Sequence, residues 1–318
     1  ETAAILGRRL LGLPLAETWS PTAETIVLEL RLPRVLTAML VGGGLAMSGA
    51  VFQALLRNPL ADPYIIGTAA GASLGAVVGI VAPILLPFLA IGAGSSWLGL
   101  GLVQLLAFAG GLVTVLLVYT VARAHGRVPV VTLLLTGYAV SSVLAACVAL
   151  LMFLSGSALA AVFGWLMGSL ADASWTELGF AVPLLAVSFA LLLARWRRLN
   201  VLLLGDAQAA TLGVDVEREK LVLTMLATLA TSAAVAVSGT IGFVGLVVPH
   251  LLRLATGSDH RLLLPASLLL GASLLALADL GARLLGGVPV GVITALIGAP
   301  FFVFLLRRSR SVAPGASA

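Results

Sequence analysis

Long apolar runs, broken by glycine, proline and short polar turns, extend along this chain from about Val35 to Leu306. The runs between breakers predict helices at roughly 35–56, 64–90, 101–121, 130–154, 177–194, 221–239, 242–256, 262–282 and 289–306. Their lengths are near the ~20 residues that cross about 30 Å of hydrocarbon, and a soluble core does not need that length so often. A short helix near 159–170 is expected at the interface rather than across it. The pattern predicts an all-α, polytopic transmembrane helical bundle, one domain over 1–318.

The outer segment 1–34 reads differently. Residues 1–30 carry Glu1, Glu17, Glu24 and Glu29 and hold no apolar run long enough to span, nor the long apolar core of a cleaved signal. A chain that starts outside without a signal is expected to lack its first span. A tenth helix is therefore predicted to precede Glu1.

Composition supports the membrane reading. The chain is 60% hydrophobic and 10% charged, with mean hydropathy +1.16, too few charges to cover a water-facing surface. The 35 glycines and 14 prolines suit closely packed, locally broken helices. A single cysteine, Cys147, leaves no disulfide framework and no thiolate metal site.

Net charge of +5 does not call for nucleic acid, because basic residues in such a chain mark cytoplasmic loops. With the segment before Val35 outside, 13 of the 18 Lys and Arg fall inside: Arg57, Arg123, Arg127, Arg195, Arg197, Arg198, Arg218, Lys220, Arg253, Arg261, Arg307, Arg308 and Arg310. Arg8, Arg9, Arg31, Arg34 and Arg283 stay outside. This bias predicts a cytoplasmic C-terminus. Trp97, Trp165 and Trp175 then fall near the outer interface and Trp196 near the inner one.

Several motifs stand out. Gly67, Gly71, Gly75 and Gly79 repeat every four residues and predict close backbone packing in preference to substrate contact. Arg57-Asn-Pro-Leu-Ala-Asp-Pro63 is a rigid inside turn that suits a connector or a gate equally. Residues 195–220 form the longest cytoplasmic stretch, either two short helices on the membrane or a docking surface for a partner. Asp279 and Arg283, four apart, share a helix face and are expected to pair. His250, beside Pro249, fits a hydrogen-bonded structural role better than metal ligation.

There is no G-x-x-x-x-G-K-[ST], and Lys220 is the only lysine, so the chain carries no P-loop to hydrolyse nucleotide. No cluster of carboxylates lies within the spans, which disfavours an ion-coupled carrier.

Arg31-Leu-Pro-Arg34, Gly44-Leu-Ala-Met-Ser-Gly49, Gln53 and Arg57 to Pro63 together resemble the opening signature of the FecCD/BtuC family of importer permeases. Ser238 to His250, Arg253, Gly257 to Arg261, Asp279, Arg283, Pro289 to Gly291 and Gly298 to Phe301 resemble its closing half, so the likeness spans about 25–308. It implies the membrane subunit of a type II ABC importer in a bacterial inner membrane. Such permeases have ten helices and form homodimers with two cytoplasmic ATPase subunits and a periplasmic or lipid-anchored binding protein, and they bind no cofactor.

Carried over by position, Arg31, Arg34 and Arg283 match outer arginines that dock the binding protein. Asn58 and Leu60 match a cytoplasmic gate, and Ser155 and Ser157 a narrow part of the path. Leu204, Gly205, Asp206, Ala209, Ala210, Leu212 and Gly213 match the segment that couples to the ATPase. Val288 stands where many relatives carry an acid. The resemblance implies alternating access driven by a separate ATPase, with an iron chelate (siderophore or haem) as the expected cargo and a corrinoid next. An ion-coupled secondary transporter and a purely structural membrane protein are the readings from other classes.

Overall fold

The computed structural model describes residues 1–14, 16–85, 101–124 and 126–311. The expected helix end at 86–90 and Trp97 lie outside them. Among the described residues fourteen α-helices follow one another, and no strand occurs. They are α1 (Thr2–Leu11), α2 (Pro21–Thr25), α3 (Leu32–Leu55), α4 (Thr68–Leu85), α5 (Leu102–Ala122), α6 (Val130–Leu154) and α7 (Leu159–Leu166). After these come α8 (Trp175–Ala194), α9 (Trp196–Leu203), α10 (Asp206–Thr211), α11 (Val216–Ser238), α12 (Val244–Thr256), α13 (His260–Leu284) and α14 (Val290–Ser311).

Among the described residues, six helical runs are long and apolar enough to cross a membrane: Pro21–Leu55, α5, α6, α8, α11 and α13. Nine spans were expected; the one at 64–90 runs beyond the described residues, and elsewhere local chemistry sets the helix bounds. Pro33 reads as a breaker, yet helix continues through it. The chain widens into a π-turn over Ile26–Arg31, where the N–H of Leu32 bonds the carbonyl of Val27. That extra turn accommodates the ring, which would otherwise collide one turn back. The helical run therefore starts at Pro21, and part of the outer segment belongs to it. α12, expected to span over 242–256, has only 13 residues. At 1.5 Å per residue it covers about 20 Å, short of the hydrocarbon thickness.

Helix starts follow caps. α11 begins five residues before the expected 221, because the Asp215 side chain accepts from the N–H of Arg218 at 3.2 Å. α8 begins at Trp175, where Glu177 accepts the N–H of Ser174 at 3.0 Å.

α3 is the axis. Apart from its first turns it is buried, packed against α8, α9, α11, α12 and α13. A second layer places α4 against α5, α6 and α7. The glycine repeat works as packing: a Cβ at Gly71 would collide with the carbonyl of Gly110, one at Gly75 with that of Leu106, and one at Gly79 with the backbone of Val103. Trp165 packs against Val235 and the alanines of α4 and α5.

The break between α11 and α12 is non-helical backbone inside an apolar bundle, and its polar groups find partners within the protein. Tyr64 Oη donates to the carbonyl of Ile241 at 3.0 Å, and Ser169 N donates to that of Ser238 at 2.8 Å. Thr240 Oγ1 bonds the carbonyl of Leu166.

Gly75→Ala is expected to destabilise the purified protein by about 1–3 kcal/mol, since backbone must move to admit the methyl. Gly179→Ala in α8 meets nothing within 4 Å and is expected to be neutral or stabilising by up to ~1 kcal/mol. Thermal melting in detergent checks both, and equal melting shifts would contradict the packing account.

Candidate functional site

Chemistry gathers at the two ends of α3. Its 24 residues separate Arg34 from Arg57 by roughly 35 Å at 1.5 Å per residue.

At the first end, Asp279 of α13 is 1% exposed and shared by two arginines. Arg34 grips it as a fork, with Nε at 3.0 and 3.1 Å from the two oxygens and Nη2 at 2.8 Å. Arg283 brings its Nε to 3.1 Å from the same carboxylate, so the expected pair forms. Sequence spacing could reveal Arg283, one turn away, but not Arg34, 245 residues distant. Arg31 is exposed and makes no ion pair among the described residues. Trp175 Nε1 donates to the carbonyl of Leu28 at 3.1 Å. It lies at the Arg34 end, while Trp196 lies at the opposite end beneath Arg197 and Arg261.

At the second end the Arg57–Pro63 turn is held from several sides. Arg57 takes left-handed backbone, φ 48°. Asn58 Oδ1 accepts the N–H of Leu60 at 3.0 Å, an Asx-turn, and Asn58 stays exposed while Leu60 is half-buried. Gln53 Nε2 donates to the carbonyls of Ala61 and Leu246 at 3.3 and 3.2 Å, and Arg253 Nη1 donates to Gln53 Oε1 at 2.9 Å. His250 Nδ1 lies 3.2 Å from the carbonyl of Pro59, the structural role expected of it. Gln53 and Arg253 had a place in the motif but no role from spacing alone.

Asp62 accepts the N–H of Tyr64 at 2.8 Å, and burial raises its pKa to about 6, against the lowering effect of that hydrogen bond.

The 201–220 segment lies at this same end. α9 and α10 meet at Gly205, whose φ of 108° suits glycine. Leu204 and Leu212 are 56% and 61% exposed, Ala210 is exposed, and Ala209 is fully buried. Gly213, φ 81°, ends the α10 turn. Asp206 bonds Arg57 at 3.2 Å and also Lys220, tying this segment to the turn after α3. Beside it, Glu219 is 4% exposed between Arg195 and Arg198.

The two serines are not alike. Ser155 is buried and donates to its own helix at Met152, 2.7 Å away, whereas Ser157 is exposed.

The fold is an apolar multi-helix bundle with an arginine-rich rim at one end and a tied loop at the other. The chain belongs to the FecCD transport family, matched over residues 7–308, and is the permease subunit of an ABC importer in the inner membrane. It is 47% identical over 292 residues to the cobalamin import system permease protein BtuC of Halobacterium salinarum, covering 90% of this chain and 74% of that one. It is 44% identical over 295 residues to the hemin transport system permease protein HmuU of Yersinia pestis, covering 91% and 85%. A solved structure of a metal-chelate type ABC transporter in an inward-facing conformation superimposes with TM-score 0.81 at 33% identity, over 96% of this chain and 95% of that one.

Asp279→Asn leaves two guanidinium groups without their carboxylate. Because both arginines reach water, the expected cost is about 2 kcal/mol, below the ~3–5 of a fully buried pair. Arg31→Ala is expected to cost less than ~0.5 kcal/mol. Thermal melting distinguishes them.

The raised Asp62 pKa has a definite sign. Between about pH 4 and 6 the folded chain keeps a proton that the unfolded chain loses, so this group lowers stability as pH rises through that window. Asp62→Asn keeps the acceptor for Tyr64 and is expected to flatten that slope in melting scans. An unchanged slope would assign it to other groups.

Proposed function

We propose that this chain imports an iron chelate, a siderophore or haem, by alternating access, as a homodimer with two cytoplasmic ATPase subunits and an outer substrate-binding protein. On this reading the full subunit has the family's ten-helix plan, the Arg34 end faces outside, and the Arg57 end and C-terminus are cytoplasmic. The observation that carries it is the pairing of two distinct polar ends across one apolar bundle: an arginine rim fixed by Asp279, and a turn bonded to an exposed apolar segment.

Arg31, Arg34 and Arg283 present cations to acidic lobes of a binding protein, where charge complementarity sets register and speeds encounter. Asp279 holds two of them in place before docking. Leu204 and Leu212 offer the apolar knobs of an ATPase contact. Asn58 and Leu60 close the inner end of the path, and Ser155 and Ser157 mark its narrow part. ATP draws the two ATPases together, the α9–α10 segment moves with them, and one gate opens as the other closes. Cargo arrives already chelated, so the path needs few binding groups.

A corrinoid is the second cargo reading, favoured by the 47% identity to a cobalamin permease. An ion-coupled carrier is disfavoured because Asp279 and Glu219, buried within the helices, are each engaged by two arginines, and the proton-holding Asp62 lies in the turn after α3 rather than within a span.

Proteoliposomes holding the permease, its ATPase and its binding protein are expected to take up one of ferric siderophore, haem or cobalamin only with ATP. Arg31→Glu is expected to reduce uptake at least tenfold with unchanged melting. Leu204→Asp with Leu212→Asp is expected to abolish co-purification of the ATPase. ATP-independent uptake, or an ATPase that binds regardless, would refute the reading.

A further inference from the structure

We propose that Arg57, Asp206 and Lys220 form a switchable ionic relay that carries movement of the ATPase-facing segment to the turn after α3. The proposal rests on the importer reading above and makes Arg57 and Lys220 positioning residues for transport.

The geometry is specific. Arg57 and Asp206 are 149 residues apart in sequence, yet Arg57 Nη2 lies 3.2 Å from Asp206 Oδ1. The other oxygen of Asp206 takes Lys220 Nζ, so one carboxylate joins three pieces of chain: the α3 turn, the first turn of α10 and the first turns of α11. Lys220 also reaches Glu217 at 3.8 Å, and Glu217 Oε2 accepts the N–H of Val128 at 3.0 Å. The relay thus extends to the connection that feeds α6.

Two backbone features serve the Arg57 contact. Arg57 itself is one of two non-glycine residues with positive φ among the described residues, at 48°. Such a conformation is costly for a residue with a Cβ and is retained where the surroundings impose it. Opposite it, a Cβ on Gly205 would come within 3.1 Å of Arg57 Nη1, so the glycine leaves room for the guanidinium. Gly205 precedes Asp206 and also supplies the φ of 108° that turns the chain into α10.

Exposure separates relay from brace. Side chains of Arg57 and Asp206 are 41% and 45% exposed. An ion pair that wet contributes little to stability and is easily broken and remade. The neighbouring Glu219, 4% exposed between Arg195 and Arg198, can brace this end without help from Asp206. Lys220, 10% exposed, holds the other oxygen of Asp206 from inside, so the Arg57–Asp206 contact is the wet half of the relay and the half that suits changing with state.

The test uses the reconstituted complex of permease, ATPase and binding protein, with ferric siderophore, haem and cobalamin each offered as cargo. ATP hydrolysis and uptake are measured together. Arg57→Gln and Lys220→Gln are expected to keep ATP hydrolysis within twofold while uptake per ATP falls about tenfold. Arg57→Lys is expected to restore at least half of the uptake. The Arg57→Gln/Lys220→Gln double variant is expected to be no worse than either single, as for links in one chain. Unchanged uptake per ATP in both single variants, or multiplying losses in the double, would overturn the proposal.

A second readout does not need transport. Lys220 is the only lysine, so acylation by an amine-reactive reagent, read by peptide mass, reports its accessibility. ATP is expected to change that rate several-fold in the wild-type complex and not in Arg57→Gln; an equal response in both would overturn the relay. A wild-type complex that hydrolyses ATP but takes up no cargo would count against the importer reading alone, because Lys220 acylation would still report on the relay.

Discussion

Backbone-to-backbone contact along α3 is the constraint on which the rest of this molecule depends. A Cβ on Gly42 would strike the carbonyl of Gly271, and one on Gly49 that of Gly245. α3 therefore lies directly against α12 and α13 with no side chain between. In hydrocarbon, where apolar side chains gain nothing by leaving lipid, such close packing is a main source of helix association. It also sets both polar ends. Only with α13 this near can Arg34 fork onto Asp279, and only with α12 this near can Gln53 reach the carbonyl of Leu246 while accepting from Arg253.

The same closeness makes irregular backbone tolerable. α12 is too short to span and starts after Phe243, which has φ 69°. Gly298 of α14 leaves room for the Phe243 ring, and Pro63 packs onto Gly245. Tyr64 satisfies both the carbonyl and the N–H of Ile241, at 3.0 and 3.3 Å. Its hydroxyl stands in for the water that a membrane interior does not supply. The turn after α3 thus touches the break before α12 at several points, and neither can shift alone.

Much of this was legible from residues. Spans at 101–121, 130–154 and 262–282 match α5, α6 and α13 closely, because long uniform apolar runs allow few other solutions. The glycine repeat of α4 reads correctly as packing, since a four-residue period marks one helix face. Boundaries failed where local chemistry overrode hydropathy: a π-turn carried helix through Pro33, and the Asp215 cap pulled α11 back to Val216. Of the arginine rim, the one-turn pair Asp279–Arg283 was visible and the long-range partner Arg34 was not. The Arg57–Asp206 contact was equally hidden, because nothing local in either segment signals the other. Motif resemblance grouped these residues, but only coordinates supply their bonds.

Tight seams and wet links divide the labour of movement. Along glycine seams the backbones lie in direct contact, so a shift of one helix must be met by the other. α3, α12 and α13 meet backbone to backbone, as do α4 and α5. Elsewhere the contacts differ: Ser48 of α3 bonds the carbonyl of Ala227 on α11 at 3.0 Å, and the charged links at the Arg57 end join α10 and α11 to the turn after α3. Close seams with replaceable polar links favour a few discrete arrangements over a continuum. On the importer reading, force enters at α10, where the Arg57–Asp206 link is wet and the Lys220 link is nearly buried. It reaches the arginine rim through α3 itself, roughly 35 Å of helix that no seam allows to bend freely. The ordering of stiff and loose contacts along that line is what would let one end of the subunit answer the other.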